Sequence, residues 1–161
     1  MQDVAFWTAL FAAIGVGAIA FELRREVVPP WRLFLAPLAA LAAAVTLPPE
    51  PRWLALAVAG LVIGIVAGSI RGLSTMLRVD HIWKLMRLRR VAYDGVAFAL
   101  TIAVLAGADT KPTTAFLMQR MMPVPFAAIA FFCAGYLLGR AGTIGLRTRS
   151  TPHDDIRPGA A

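Results

Sequence analysis

Gly60, Gly64, Gly68 and Gly72 recur at every fourth position in a stretch whose first eighteen residues, Trp53 to Ile70, carry no charge. Eighteen residues at about 1.5 Å each make a helix roughly 27 Å long, close to the hydrocarbon thickness of a bilayer. Each glycine in a lone helix costs ~1 kcal/mol relative to alanine. Four on one row make sense when a second helix backbone presses against them. The row drifts about 40° per step on a 3.6-residue helix, so a partner stays on it only if the helices cross right-handed. A packed membrane bundle is the expectation this feature sets. It names no reaction.

Composition extends the expectation to the whole chain. Of 161 residues, 59% are hydrophobic and 16% charged, where soluble domains carry about 25%. The charges avoid several long windows, as in a polytopic membrane protein. The expected fold is therefore all-α and integral to the membrane: five transmembrane helices in one domain, residues 1–146, with a basic interfacial segment between the third and fourth. Residues 147–161, polar and without periodicity, are expected to form a disordered cytoplasmic tail. The spans are placed at about Val4–Phe21, Trp31–Leu47, Trp53–Ile70, Val91–Ala108 and Val124–Leu138. Ala18-Ile19-Ala20 mimics a signal-peptide cleavage site, but no basic region precedes it.

Local chemistry sets the joints. Pro29-Pro30 forbids a continuous helix between the first two spans. Pro48-Pro49-Glu50-Pro51-Arg52 is a tight connection that makes the second and third spans antiparallel neighbours. The alanines of the second span, from Ala36 to Ala44, are then the expected partner of the glycine row. Gly135 and Gly139 repeat the small-xxx-small spacing in the fifth span.

The segment Leu73 to Arg90 admits two readings. As a helix, Met76, Val79, Ile82, Trp83 and Met86 share a face. As a hairpin, Leu77, Val79, Trp83 and Leu85 alternate with Arg78, Asp80 and Lys84, with Asp80-His81 near the turn. A helical or partly helical interfacial segment is preferred. Either form gives a basic side, with Arg71, Arg78, Lys84, Arg87, Arg89 and Arg90, to meet lipid headgroups or a partner.

Orientation follows from charge. With five spans and the N-terminus outside, 13 of the 16 Lys and Arg residues fall on the inner side, as the positive-inside rule requires. The expected place is a bacterial inner membrane, multi-pass, with the C-terminus cytoplasmic. The net charge of +7 is assigned to anionic lipid rather than to nucleic acid.

Chemistry-bearing residues are sparse. Cys133 is the one cysteine, so no intrachain disulfide forms. The two histidines, His81 and His153, lie outside the spans, which leaves no intramembrane haem or metal site. Met118, Met121 and Met122 read as interfacial anchors. Nucleophile, phosphate-loop and HExxH motifs are missing, and no cofactor is expected. Asp94, in the first turn of the fourth span, is the one ionisable intramembrane candidate. Its neighbour Arg90, one turn back, offers a local ion pair. Arg71–Arg78, RGLSTMLR, is echoed by Arg140–Arg147, RAGTIGLR, a pattern read as coincidence before duplication.

The order of landmarks resembles the CcdC-like family of small bacterial membrane proteins. They are a first span ending in Leu23-Arg24-Arg25, a proline-bearing turn, a short second span ending in Leu47-Pro48, a glycine-spaced third span, and the polar run Leu77 to Arg87. The family's function is not established. Its label hints at cytochrome c biogenesis, and the resemblance carries no site residue. The favoured function is a non-catalytic accessory or assembly protein, packing through its small-residue rows with itself or a larger membrane complex. The alternative is a small transporter or channel-forming oligomer with a path along Gly60–Gly72 and Asp94 as its gate. A membrane enzyme working through Asp80, His81 and the arginines is third.

Overall fold

The computed structural model describes residues 7, 10, 11, 13–15, 17, 18, 20, 27–46, 54–82, 84–88, 96, 97, 99 and 126–154. Three α-helices organise it: α1 (Leu35–Thr46), α2 (Leu54–Leu73) and α3 (Phe126–Ser150). A 3-10 helix, Pro30–Phe34, leads into α1. Three short strands, β1 (Val27–Val28), β2 (Leu77–Asp80) and β3 (Leu85–Leu88), form one antiparallel sheet in the order β1-β3-β2. The described residues between 7 and 20 are helical.

The five-span bundle is thereby corrected. Among the described residues two helices, Leu54–Leu73 and Ala128–Ser150, are long and apolar enough to cross a membrane. The expected second span is broken at its start by the 3-10 turn. The α-helix left to it has 12 residues, about 18 Å and too short to cross. Half of the expected first span is described and is helical, most of the expected fourth falls outside the described residues, and the loop 109–122 lies wholly outside them. The expected interfacial helix is a β-hairpin instead. Its strands alternate: Val79 pairs with Met86 on the face that packs inward, and Arg78 pairs with Arg87 on the other. The third strand, Val27–Val28, comes from the proline-bearing turn between the first two expected spans.

The hub is α3, not the glycine helix. One side of α3 takes α2, another takes α1, and its C-terminal half carries the sheet. The α2–α3 pair is parallel and in register. A Cβ built on Gly60 would meet Ala128; on Gly64, Phe132 and Tyr136; on Gly68, Tyr136 and Arg140; on Gly72, Arg140 and Thr143. The seam is reciprocal, because Gly135 and Gly139 of α3 sit against the backbone of Leu61 and Ile65. The chain from Leu88 to Phe126 therefore starts at the C-terminal end of the pair and finishes at the other.

The alanine face of α1 does not cover the glycine row. Ala36 and Ala40 pack with Ala134 and Leu137, and Ala43 and Ala44 with Ala130. This places α1 antiparallel to α3. The reason lies in matching small residues. A glycine row buries fully only against a helix that lets the backbones meet, and Gly135 and Gly139 do so at the right levels. Each alanine of α1 keeps a methyl group in the way. At the end of the bundle Val28, Leu33, Val79, Met86, Ala141 and Ile144 form one buried cluster, with Phe34 and Leu77 packed on it. This cluster fixes the sheet to α3.

Candidate functional site: the sheet-capped end of the helix pair

The C-terminal ends of α2 and α3 meet beneath the sheet, and most described polar chemistry gathers there. The last four carbonyls of a helix lack intrahelical donors. At the end of α2 one guanidinium nitrogen, Arg147 Nη1, donates to the carbonyls of Gly72 (2.7 Å), Leu73 (2.9 Å) and Thr75 (2.8 Å). A cation at a helix C-terminus also meets the negative end of the macrodipole. Ser74 Oγ and Thr75 Oγ1 add bonds to Ile70 O and Arg71 O. Arg147 thus joins the end of α2 to α3 across 75 residues of sequence.

Beyond Arg147 the chain does not leave the fold. Helix α3 runs on through Ser150, and residues 151–154 lie along the outer edge of β2. The expectation of a disordered tail from Arg147 is corrected as far as Asp154; residues 155–161 lie outside the described residues. Asp154 N–H donates to Val79 O at 2.9 Å, and Val79 and His153 make a parallel bridge. Asp154 Oδ2 is 3.5 Å from Arg78 Nε. That ion pair offsets a like-charge pair, since Arg78 stands directly across from Arg87 in the sheet.

The hairpin turn completes the junction. Asp80, only 1% exposed, accepts the Ile82 N–H at 2.9 Å in a turn of the Asx type. Its Oδ1 also lies 3.9 Å from His153 Nδ1. His81 N–H donates to His153 Nδ1 at 3.2 Å, and His81 Nε2 is 2.8 Å from Thr151 O. A carbonyl only accepts, so His81 Nε2 carries its proton. His153 Nδ1 accepts from a backbone N–H, so in the neutral ring the proton is on Nε2. Lys84 closes the turn with φ of 50°, a left-handed conformation uncommon outside glycine.

The sequence-derived site residues divide as follows. Gly60, Gly64, Gly68, Gly72, Gly135 and Gly139 all lie in the α2–α3 seam. Arg71 lies in the last turn of α2, and Arg78, Lys84 and Arg87 belong to the hairpin. Arg89, Arg90 and Asp94 lie outside the described residues. Cys133 is buried on α3. The basic end is joined by residues to which sequence reasoning assigned no role there: Arg147 as a helix cap, and His153 and Asp154 as anchors on β2. The alternation around Asp80-His81 was the available signal for the hairpin. Nothing local to Arg147 marked it as the cap of a different helix. Among the described residues no group of three His, Cys, Asp or Glu side chains could hold a metal ion.

The polar groups described here hold backbone ends together. The described residues define a mostly helical protein in which two helices are long and apolar enough to cross a membrane, with a basic, sheet-capped end. No protein-family model, curated protein or solved structure matches the chain.

Proposed function

We propose that the protein is a non-catalytic accessory or assembly component of a bacterial inner membrane, acting through helix–helix contact with a second membrane protein or with itself. In this reading α2 and α3 cross the bilayer with their C-terminal ends and the sheet on the cytoplasmic side. Arg71, Arg78, Lys84 and Arg87 there suit anionic lipid heads. The described helical residues between 7 and 20 run in the direction of α3: Phe11 packs on the cluster of Ala43, Ala44 and Ala130, and Ala18 on that of Ala36, Ala40, Ala134 and Leu137. That direction favours an N-terminus on the opposite side.

The observation that carries it is the outer face of α2. Only 17% of its most apolar window is buried, against 50% for α3. Val58, Val62, Ile63, Val66, Ile70 and Leu73 are all more than half exposed. In water such a ridge is costly at ~25 cal/mol per Å²; in lipid it is a contact face. The glycines are already occupied by α3, so partner contact falls to this ridge. A path along Gly60–Gly72, as a transporter would need, has no width, because the α3 backbone fills it. Asp80 and His81, the enzyme reading's candidates, are engaged in holding residues 151–154.

Co-purification in mild detergent tests the proposal. Val62→Trp and Val66→Trp, on the ridge and away from the seam, are expected to leave the chain in carbonate-washed membranes and to deplete its co-purifying protein at least fivefold. The same partner recovered in full with both variants would refute it.

A further inference from the structure

A crevice of about 290 Å³ opens between the N-terminal helical residues and the start of α1, lined by Ile14, Gly17, Ala18, Trp31, Arg32 and Leu35. Its walls come from consecutive turns. Ile14, Gly17 and Ala18 share one helical face by their i, i+3, i+4 spacing. Trp31 and Leu35 face them from the 3-10 helix and the first residue of α1. Arg32 is the one charged residue among the six lining residues, and its guanidinium lies 5.2 Å from the centroid of the Trp31 ring. We infer that this crevice is a lipid site, taking part of one acyl chain of an anionic phospholipid with the phosphate on Arg32.

Four observations select that occupant. The crevice is continuous with an exposed apolar surface, in which Ile14 is 46%, Trp31 60% and Leu38 55% exposed. Its charge is at the end next to the sheet, since Leu33, adjacent to Arg32, is buried in the cluster that holds the sheet to α3. That is the end the membrane reading places at the cytoplasmic headgroups, and this inference rests on that reading. Its volume is at the lower edge of the ~300–1,000 Å³ typical of small-molecule pockets, so it admits a length of chain and not a whole ligand. A Trp–Arg pair is suited to the interface, where an amphipathic ring sits beside a cation that meets phosphate.

Gly17 supplies the test. A Cβ built there meets nothing within 4 Å, so a larger side chain enters open space. Gly17→Phe fills the crevice, and Arg32→Gln removes the charge without filling it. The full chain, taken from washed membranes into mild detergent, is titrated with phosphatidylglycerol, phosphatidylcholine or inorganic phosphate and examined by native mass spectrometry. Wild type is expected to retain one phosphatidylglycerol at least tenfold more tightly than phosphatidylcholine, and no inorganic phosphate. Gly17→Phe, with its unfolding midpoint unchanged, is expected to lose retention of both lipids tenfold or more. Arg32→Gln is expected to bind the two lipids equally. Retention of phosphatidylglycerol by Gly17→Phe at the wild-type level overturns the site. If Gly17→Phe does not fold, an undiminished phosphatidylglycerol preference in Arg32→Gln overturns it instead. Displacement of lipid by inorganic phosphate overturns the lipid assignment. A wild-type chain missing from washed membranes overturns the membrane reading itself, a result distinct from the loss of the crevice alone.

Discussion

Gly68→Ala is the sharpest probe of how this fold is held together. A Cβ at that position would collide with Tyr136 O, come within 2.7 Å of Tyr136 C, and lie 2.9 Å from Arg140 N. All three obstacles are backbone, so no side chain can turn aside. Ordinary van der Waals contact begins at 3.4 Å. Reaching it means opening α2 from α3 by roughly 1 Å, enough to forfeit a quarter to a half of each dispersion well along the seam. Overpacking costs typically about 1–3 kcal/mol, and a backbone obstacle puts this site at the upper end. Alanine returns ~1 kcal/mol of helix propensity. The net expectation is a loss of about 2 kcal/mol, close to thirtyfold in the folded-to-unfolded ratio. The control is Gly142→Ala on α3, where a Cβ meets nothing within 4 Å and propensity alone acts. Reversible unfolding in mixed micelles, followed across a denaturing-detergent titration, measures both. Equal stability of Gly68→Ala and Gly142→Ala would refute the claim that the glycines exist to let two backbones touch.

Other expectations follow from the sheet-capped end. Arg147→Gln removes the cation that caps α2; hydrogen bonds to charged groups contribute about 1.5–3 kcal/mol, so a loss of about 2 kcal/mol is expected in the same titration. Wild-type stability would mean that the three carbonyls find other donors. The double variant His153→Ala, Asp154→Asn detaches residues 151–154 from β2, and trypsin is expected to cut after Arg149 several times faster; an unchanged rate would show that the backbone pairing at Val79 suffices. At Lys84, where φ is 50°, Val is expected to destabilise by more than 1 kcal/mol and Gly to be neutral or mildly stabilising. Met86→Ala empties the centre of the cluster that fixes the sheet to α3 and should cost about 2–5 kcal/mol, read as loss of near-ultraviolet circular dichroism at lower denaturant.

Much of the local structure was readable from the chain. The start of the glycine helix follows from Pro51-Arg52, though its end runs past the uncharged stretch to Leu73, and the break before α1 follows from Pro29-Pro30 and the 3-10 turn it starts. The tight turn at Pro48–Arg52 correctly implied that α1 and α2 are antiparallel. The hairpin was one of two readings because Leu77 to Leu88 satisfies both periods. The deciding contact is Val28 with Met86 and Val79 beneath α3, and no period contains it. The strand at Val27–Val28 is two residues long and has no sequence signature of its own.

Residue chemistry by itself determined that the chain carries an apolar helix with a face that demands a backbone neighbour. Which helix supplies that neighbour was decided only in three dimensions. Gly60 to Gly72 can be read as needing small-residue contact, and both the alanines of α1 and the glycines of α3 offer it. The choice turns on about one methyl group of separation and on matching levels along two helices 70 residues apart in sequence. The same holds for Arg147. A cation near a helix end is legible in sequence, but that it caps the other helix depends on where the parallel pair brings α2 to its close.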